Sequence, residues 1–492
     1  MKLDDLVSFA RRKGYVWQSA EIYSGGAGFY DYGHLGAELK RKWEDTWLDY
    51  FLNLGESYYL IDPAHIMPGA ALKASGHVAH FTDILVDCTK CHASYRADTL
   101  IEEKIGKPAE DLNPAQVDFE IEKAALKCEK CGGALSKSAP FNMMFPIQVG
   151  TKQDETAYLR PETAQGVYLN FNREFELLRK KLPLGLAIIG RAYRNEIAPR
   201  QVLYRLRELI QAELQIFFDP DKFEGEVDMA QVEDCELNVS LVEEREQCMF
   251  RRVKAKELVG RLPKFYVYHM AKVQQFYIDR MHFPPEKFRL REKSEKERAF
   301  YNRVHFDVEV NLESLGGFRE VAGIHYRGDY DISSHAKGSG KNLEVNIEGK
   351  KFIPHVLELS FGVDRNFWAL LDIHYLKIED RTILRLPAHL APVQVGVFPL
   401  MARDGLDEKA KEVVKILRAG GIRTYYDVGG SIGRRYARQD EAGTPFCVTI
   451  DYDSLKNYDV TIRERDSARQ IRVPIGEAAF ALSDLLRGKR AF

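Results

Sequence analysis

No run of apolar residues in this chain approaches the ~20 needed to cross a bilayer as a helix, so no membrane span is expected. Its start, MKLDDLVSFARRKGY, has no apolar core followed by a small-residue cleavage site, so no secretory signal is read there. Cysteine is sparse, at seven in 492 residues. An odd count without a signal argues against a disulfide framework. Net charge is all but missing, with 71 Lys and Arg against 73 Asp and Glu. That excludes a uniformly basic nucleic-acid coat but leaves room for a local basic surface. There is no fixed-period repeat and no low-complexity tract. With 45% hydrophobic and 29% charged residues, disorder, collagen and a coiled-coil rod are excluded for the chain as a whole. The expectation is a soluble cytoplasmic protein of three or so domains, at roughly 100–200 residues each.

Patterns along the chain divide it further. Leu35, Leu39, Trp43, Trp47 and Phe51 recur every four residues, which predicts an amphipathic helix over 34–54. The Gly-rich run GGAGFYDYG (25–33) precedes it. Residues 141–217 alternate short apolar runs with polar turns, as in an antiparallel sheet, and 219–300 read as a charged, mostly helical insertion. In VLELSFGVDRNFWALL (356–371) a strand passes directly into a helix. After LPAHLAPVQ (386–394), strands alternate with helices, which predicts a small three-layer α/β domain with a mixed sheet.

Four constellations carry chemistry. Cys88-x-x-Cys91 and Cys128-x-x-Cys131 supply four thiolates, a set suited to a closed tetrahedral Zn²⁺ site of structural type. A charged, helix-like insert (98–127) must loop out between the two pairs. Residues 191–207, RAYRNEIAPRQVLYRLR, hold five Arg against one Glu between two strand-like segments. Planar guanidiniums in a hairpin suit a polyphosphate, and a solvated basic loop is the plainer reading. In LIQAELQIF, the period of two sets Gln211, Glu213 and Gln215 on one face. A carboxylate beside an Arg cluster suits an ammonium next to a phosphate. YLRPETAQG (158–166) offers Glu162, and VLELSFGVDR sets Glu358 and Ser360 on one strand face. Arg365 falls in a first helical turn, where the dipole disfavours a cation, so it serves a bound anion better than it serves the helix.

Together these segments resemble class II aminoacyl-tRNA synthetases. Arg194-Asn195-Glu196 with Arg205 and Arg207 is similar to motif 2, Gly362 to Arg365 to motif 3, and the 34–54 helix with a strand around Tyr58–Pro68 to motif 1. Within the class, YDYG, KASGH (73–77), YRAD (95–98), LRPETAQG, RNEIAPRQ, RGDYD (327–331) and GSIGRRYARQDEAGTPFCVTID resemble the homodimeric glycyl-tRNA synthetase type, over nearly the whole chain and least in 219–300. The resemblance implies an α+β protein: a seven-part antiparallel catalytic sheet built from 1–87, 132–218 and 301–385, a zinc-bearing insertion (88–131), the helical insertion 219–300, and an α/β anticodon-binding domain (386–492). It implies activation of glycine by ATP and Mg²⁺, transfer to the 3′ end of tRNA-Gly, and a homodimer.

By motif, the resemblance gives Arg194 the α-phosphate, Glu196 the adenine region, and Arg205, Arg207 and Arg365 the phosphates. Arg194, Glu196 and Arg365 are the expected catalytic set. Asn195, Tyr204, Leu206, Glu208, Leu209, Val321 and Gly362 complete the ATP site, with Glu320 at ATP and its Mg²⁺. Arg96, Glu162, Gln211, Glu213, Arg327, Glu358 and Ser360 surround glycine. Three positions depart from the family pattern. Leu209 stands where Phe is usual and can pack on adenine without π-stacking, Leu359 replaces Pro, and His34 replaces Pro. Arg434, Arg435, Arg438 and Arg463, with Tyr425, Tyr426 and Tyr436, are candidates for anticodon bases as a group. Two alternatives stay open at this point: a class II synthetase for Ser, Pro, Thr or Ala, and a synthetase-derived RNA-binding protein without activity.

Overall fold

The protein is described by a computed structural model. It covers residues 2–492 except 108, 110–111, 152–155, 200, 225–226, 246–247, 300 and 379–380, so Arg200 of the Arg-rich segment lies outside the described residues. Its centre is a nine-stranded sheet. In spatial order the strands are Arg251–Lys254, Glu236–Ser240, Phe288–Glu292, Val304–Leu312, Gly317–Gly328, His355–Gly362, Glu208–Phe218, Leu184–Tyr193 and Tyr58–Leu60. Neighbours are antiparallel except for two parallel pairs, Glu236–Ser240 with Phe288–Glu292 and Leu184–Tyr193 with Tyr58–Leu60. Strands Leu184–Tyr193 and Glu208–Phe218 form a long hairpin, with Ile188 opposite Glu213.

One face of this sheet is apolar. Ala212, Leu214, Ile216, Leu357, Leu359 and Phe361 share a buried core with Trp43, Trp47, Phe51 and Trp368. The helix His34–Phe51 carries three of these aromatics on one side, as its four-residue spacing requires, and lays Trp47 and Phe51 against Phe361 at ring distances of 5.7 and 4.9 Å. The helix Val363–His374 follows its strand without a loop, and its Val363, Phe367 and Trp368 join the same core.

Four expectations are corrected. Residues 219–300 are not mostly helical: they supply three strands of the central sheet, beside the helix Lys264–Gln275. Their charged residues alternate with Leu237, Val239, Val253, Phe288 and Leu290, all buried, so the period of two was present beneath the charge. These strands also take the sheet to nine rather than seven. Within 141–217, Ala164–Leu177 is a helix; Ala164, Val167, Tyr168, Phe171 and Phe175 bury at helical spacing. Tyr58–Pro68 is two strands in different sheets, Tyr58–Leu60 and Ile66–Pro68, separated at Pro63, where a proline removes the donor that a continuing ladder needs.

The cysteine-bearing segment forms a small unit. The sheet Ser94–Arg96, Thr82–Asp87, Ala139–Asn142 carries the helices Ala97–Ile105 and Pro114–Lys123, packed on Val86, Leu100, Ile101, Val117 and Ile121. The C-terminal unit is the expected mixed α/β layer structure. Its strand order is Thr424–Tyr426, Val395–Pro399, Phe446–Ile450, Asp459–Glu464, Gln470–Pro474, parallel across the first three and antiparallel across the last three. Gln470–Pro474 was not anticipated. Arg435 is buried, donating to the carbonyls of Pro399 and Leu400, and Arg463 is buried against Asp440 at 2.8 Å, so both are internal braces and not free for RNA. Arg434 and Tyr425 are exposed.

Trp47→Ala should remove about 3–5 kcal/mol from the unfolding free energy of the central sheet, as expected for a large aromatic cut from a closed core. A denaturant titration followed by circular dichroism measures it.

Candidate active site

The polar face of the central sheet holds two adjoining sites. Strand register decides both. Glu213 lies opposite Ser360, Gln215 opposite Glu358, and Gln211 opposite Gly362. On the next strand, Ser360 faces Gly323 and Glu358 faces His325.

The first site is an acid cluster. Ser360 Oγ and Gln211 Nε2 each donate to Glu213 Oε1 at 2.9 Å. Gln215 Nε2 donates to Glu358 Oε2 at 2.9 Å and reaches Glu213 Oε2 at 3.3 Å, so one amide links the two carboxylates. Tyr168, from the helix Ala164–Leu177, donates to Gln215 and to Glu358. Arg327 Nη1 donates to Glu358 Oε2 at 3.0 Å, while its other nitrogens are held by Asp331 at 2.7 and 2.8 Å. Its guanidinium also stacks on Tyr301, 4.2 Å from the ring centroid. Glu162 enters just before the Ala164–Leu177 helix and accepts from Gln165 Nε2 at 2.8 Å, with His77 Nε2 3.5 Å away.

Burial and like charge sort these carboxyls. Glu213 is only 2% exposed, and burial followed by repulsion from Glu358 and Glu162 pushes its carboxyl up to about 8. Burial raises Glu358 as well, against Arg327, which lowers it. Burial would also raise Glu162, but His77 and Arg327 outweigh it and hold that carboxyl well below its usual range. Two donors nearby are unused: Arg160 Nη2 and Thr163 Oγ1 are buried without a hydrogen-bond partner beside Gly190. The cluster thus gathers the carboxyls of Glu213, Glu358 and Glu162 at one buried polar patch of the sheet, a chemistry suited to one small ammonium.

The second site is a cavity of about 360 Å³ beside it, lined by Arg194, Glu196, Arg205 and Arg365, with Tyr204, Leu206, Leu209, Glu320 and Gly362. Arg194 is oriented by its Nε bond to the Pro161 carbonyl at 3.0 Å and lies over Phe81. Arg365 pairs with Glu320 at 3.1 Å and lies over the Tyr204 ring. Glu196 Oε2 is buried with no hydrogen-bond partner, and Arg205 Nε is 3.9 Å from it. A carboxylate oxygen left unpaired in a cavity calls for a donor from a ligand, as the exocyclic amino group of adenine would be.

Several residues expected at the nucleotide lie elsewhere. Arg207 turns away from the cavity, donating to the Glu196 carbonyl at 2.9 Å and the Ala27 carbonyl at 3.1 Å. Glu208 points to the opposite face and pairs with Arg191, as alternation after Leu209 demands. Val321 is fully buried, its carbonyl taken by Asn366, and the backbone N–H of Asn195 donates to the Met143 carbonyl. Arg96, expected beside glycine, lines this second cavity instead and pairs with Asp83 and Asp98. Glu162, Gln211, Glu213, Arg327, Glu358 and Ser360 do come together. Sequence reasoning missed Tyr168, Asp331 and His325. Tyr168 lay in a segment read as strand, and Asp331 and His325 stood in or beside RGDYD without a partner visible in one dimension.

The four cysteines also converge, with all four Sγ atoms within 4.8 Å of one another, and the pairs Cys88–Cys131 and Cys91–Cys128 at 3.5 Å. Zn–S bonds of about 2.3 Å in a tetrahedron set S···S edges near ~3.8 Å, so the set fits zinc. Gly133 is required here, because a Cβ would lie 3.0 Å from Cys88 Sγ.

Comparison with known proteins agrees with this geometry. Residues 147–374 match the family described as "tRNA synthetase class II core domain (G, H, P, S and T)", and residues 394–485 match "Anticodon binding domain". The chain is 37% identical to the glycine–tRNA ligase of Thermococcus gammatolerans, with 99% of each chain covered. It is 36% identical to that of Pyrococcus furiosus, again over 99% of each, and 36% identical to that of Aeropyrum pernix, over 96% and 95%. A crystal structure of prolyl-tRNA synthetase from Cryptosporidium parvum, complexed with L-proline and AMP, superposes with a TM-score of 0.59 at 14% identity. It covers 98% of this chain and 75% of that one, a likeness of fold.

With its position near 8, Glu213 should be protonated at neutral pH without ligand. An infrared carboxylic-acid band should fade as pH rises through about 8 and be missing in Glu213→Gln. Strand register, the convergent acid cluster and full-length identity above 30% together place the chain in the glycine–tRNA ligase family of class II aminoacyl-tRNA synthetases.

Proposed function

We propose that the chain activates glycine with ATP and transfers the glycyl group to the 3′ end of tRNA-Gly. The observation that carries this is a buried, carboxylate-rich cluster on the same sheet face as an arginine-lined cavity. The cluster holds the ammonium through Glu213, Glu358 and Ser360, with Gln211 and Glu162 around it. The carboxylate then points toward Arg194 and the ATP α-phosphorus. A glycine oxygen attacks that phosphorus, the bond to the β-phosphate oxygen breaks, and pyrophosphate leaves. The terminal ribose hydroxyl of the tRNA next displaces AMP from the glycyl carbonyl. No protein nucleophile is needed, because positioning and fixed positive charge at the phosphates supply the stabilisation.

Arg194 and Arg365 are the guanidiniums assigned to the phosphates, with Arg205 near Glu196 at the adenine end. Leu209 supplies an apolar surface to the base. Glu320 would hold Mg²⁺, which neutralises phosphate charge when bound. Arg207 acts one step removed: its bonds to Glu196 and Ala27 fasten the motif 2 loop to the Gly-rich run.

Cys88, Cys91, Cys128 and Cys131 would hold one structural Zn²⁺, which ties the ends of the 88–131 insertion together. Residues 386–492 serve the anticodon. A homodimer is supported by the edge strand Tyr58–Leu60, which leaves Tyr59 and Leu60 exposed. No helix among the described residues is long and apolar enough to cross a membrane, and a cytoplasmic place in translation accords with the relatives' names.

ATP–pyrophosphate exchange over a panel of amino acids tests the reading. Glycine should drive it best, and stronger exchange with serine or alanine would overturn it. Glu213→Gln should raise the glycine KM on the order of 100-fold with little change in that for ATP, as for loss of a charged partner to a buried ammonium. Ammonium binding favours the ionised form of a carboxyl whose pKa is raised. The wild-type glycine KM should therefore fall as pH rises toward about 8, and Glu213→Gln should lose that dependence. Metal analysis should find about one zinc per chain, lost in Cys128→Ser; a fully active, metal-free preparation would reject the site.

A further inference from the structure

The ammonium pocket has acidic sides on the strands Glu208–Phe218 and His355–Gly362. Its third side, on Gly317–Gly328, is formed by an aromatic ring that the roles above leave unused. Strand pairing sets Gly323 opposite Ser360 and His325 opposite Glu358, all on the polar face. A Cβ on Gly323 would lie 2.9 Å from His325 Cε1 and nearer still to Nε2. The imidazole is therefore folded back over residue 323 instead of standing above its own Cα. That brings the ring beside Ser360 as well as Glu358.

The ring is pinned there. Asn302 Nδ2 lies 3.2 Å from its Nδ1, and the ring centroid of His305 is 4.1 Å away. His305 is in turn 3.0 Å from Asp307. With the Asn302 amide donating to Nδ1, the ring proton sits on Nε2 and faces Glu358 Oε1 at 3.6 Å. The side chain stays 16% exposed, so one side of it borders open space. Burial, with His305 and Arg327 nearby, holds the imidazole well below its usual range, so it adds no positive charge to repel an ammonium.

We propose that His325 is the wall that excludes amino acids larger than glycine, an inference that rests on the glycine reading of this pocket. An ammonium held by Glu213, Glu358 and Ser360 sets its Cα above the Ser360–Gly323 pair. A Cβ directed toward the Gly317–Gly328 strand then meets the imidazole. The ring cannot yield without displacing Asn302 and His305, and overpacking against a braced group is costly. Discrimination over one methyl group is typically 10- to 200-fold. Glycine offers no side chain to read, so a wall of this kind is how such a site can select it.

The test is ATP–pyrophosphate exchange by the full chain with glycine, L-alanine and L-serine, comparing wild type with His325→Ala and His325→Asn. The alanine-to-glycine ratio of kcat/KM should rise at least about ten-fold in His325→Ala, through a gain in alanine turnover, with the ATP KM within about two-fold of wild type. His325→Asn, smaller than the ring but polar, should give a lesser rise, and it decides alone if the alanine variant fails to fold. An unchanged ratio in a folded variant overturns the inference while a glycine-preferring wild type leaves the functional reading intact. A ratio that rises only because glycine turnover is lost overturns it too, since that marks a support for Glu358 and not a wall. A wild type that prefers alanine defeats both.

Discussion

Two carboxylates on neighbouring strands, Glu213 and Glu358, are brought together almost fully buried, and much of the surrounding structure compensates them. Burying ionised groups costs several kcal/mol each unless they are paired and hydrogen-bonded. Here Ser360, Gln211, Gln215 and Tyr168 supply the hydrogen bonds, and Arg327 supplies one positive charge. Asp331 spends part of that charge by holding the same guanidinium. The compensation is incomplete: burial and the neighbouring carboxylates raise the Glu213 carboxyl to about 8, and an ammonium placed there would favour its ionised form.

The two halves of the site are joined by Asp364, which stands one residue before Arg365. Its carboxylate accepts from the Ile210 amide at 2.6 Å and from Tyr32 at 2.5 Å. One buried side chain thus ties the strand-to-helix turn to the strand bearing Glu213 and to the end of the Gly-rich run. Arg207 ties down the other end of that run through Ala27, and its own amide bonds to the Gly28 carbonyl. Gly28 has φ +81, and a Cβ there would meet Pro199 at 2.8 Å. The Gly-rich run is therefore a packing element under the motif 2 loop, and its glycine serves close approach of backbone, not phosphate binding.

Some residues were legible from spacing alone because strands and helices have fixed periods. Glu213 with Gln211, Glu358 with Ser360, and the buried stripe of His34–Phe51 followed from periods of 2 and 3.6. Arg207 and Glu208 misled for the same reason. Motif position implies a nucleotide contact for both, but Arg207 bonds back to Ala27 and Glu196, and one step of alternation turns Glu208 to the far face. Arg435 and Arg463 looked like RNA contacts because composition records charge and not burial. The strands within 219–300 are hidden in the sequence because their exposed faces are densely charged, and that charge masks the alternation of Leu237, Val239, Phe288 and Leu290.

What the chain determined by itself was local: the four-thiol ligand set, the arginine-rich hairpin, the strand faces, the strand passing straight into a helix, and through their combination the family. What only the tertiary structure decided was which strands lie side by side, and at what register. That sets Gln215 between two carboxylates, folds His325 over Gly323, and carries Arg96 to the cavity lined by Arg194 and Arg365. The reason is physical. Periodicity fixes which way a side chain points, whereas its pKa and its partners depend on burial and on groups brought from more than a hundred residues away, which no local pattern encodes.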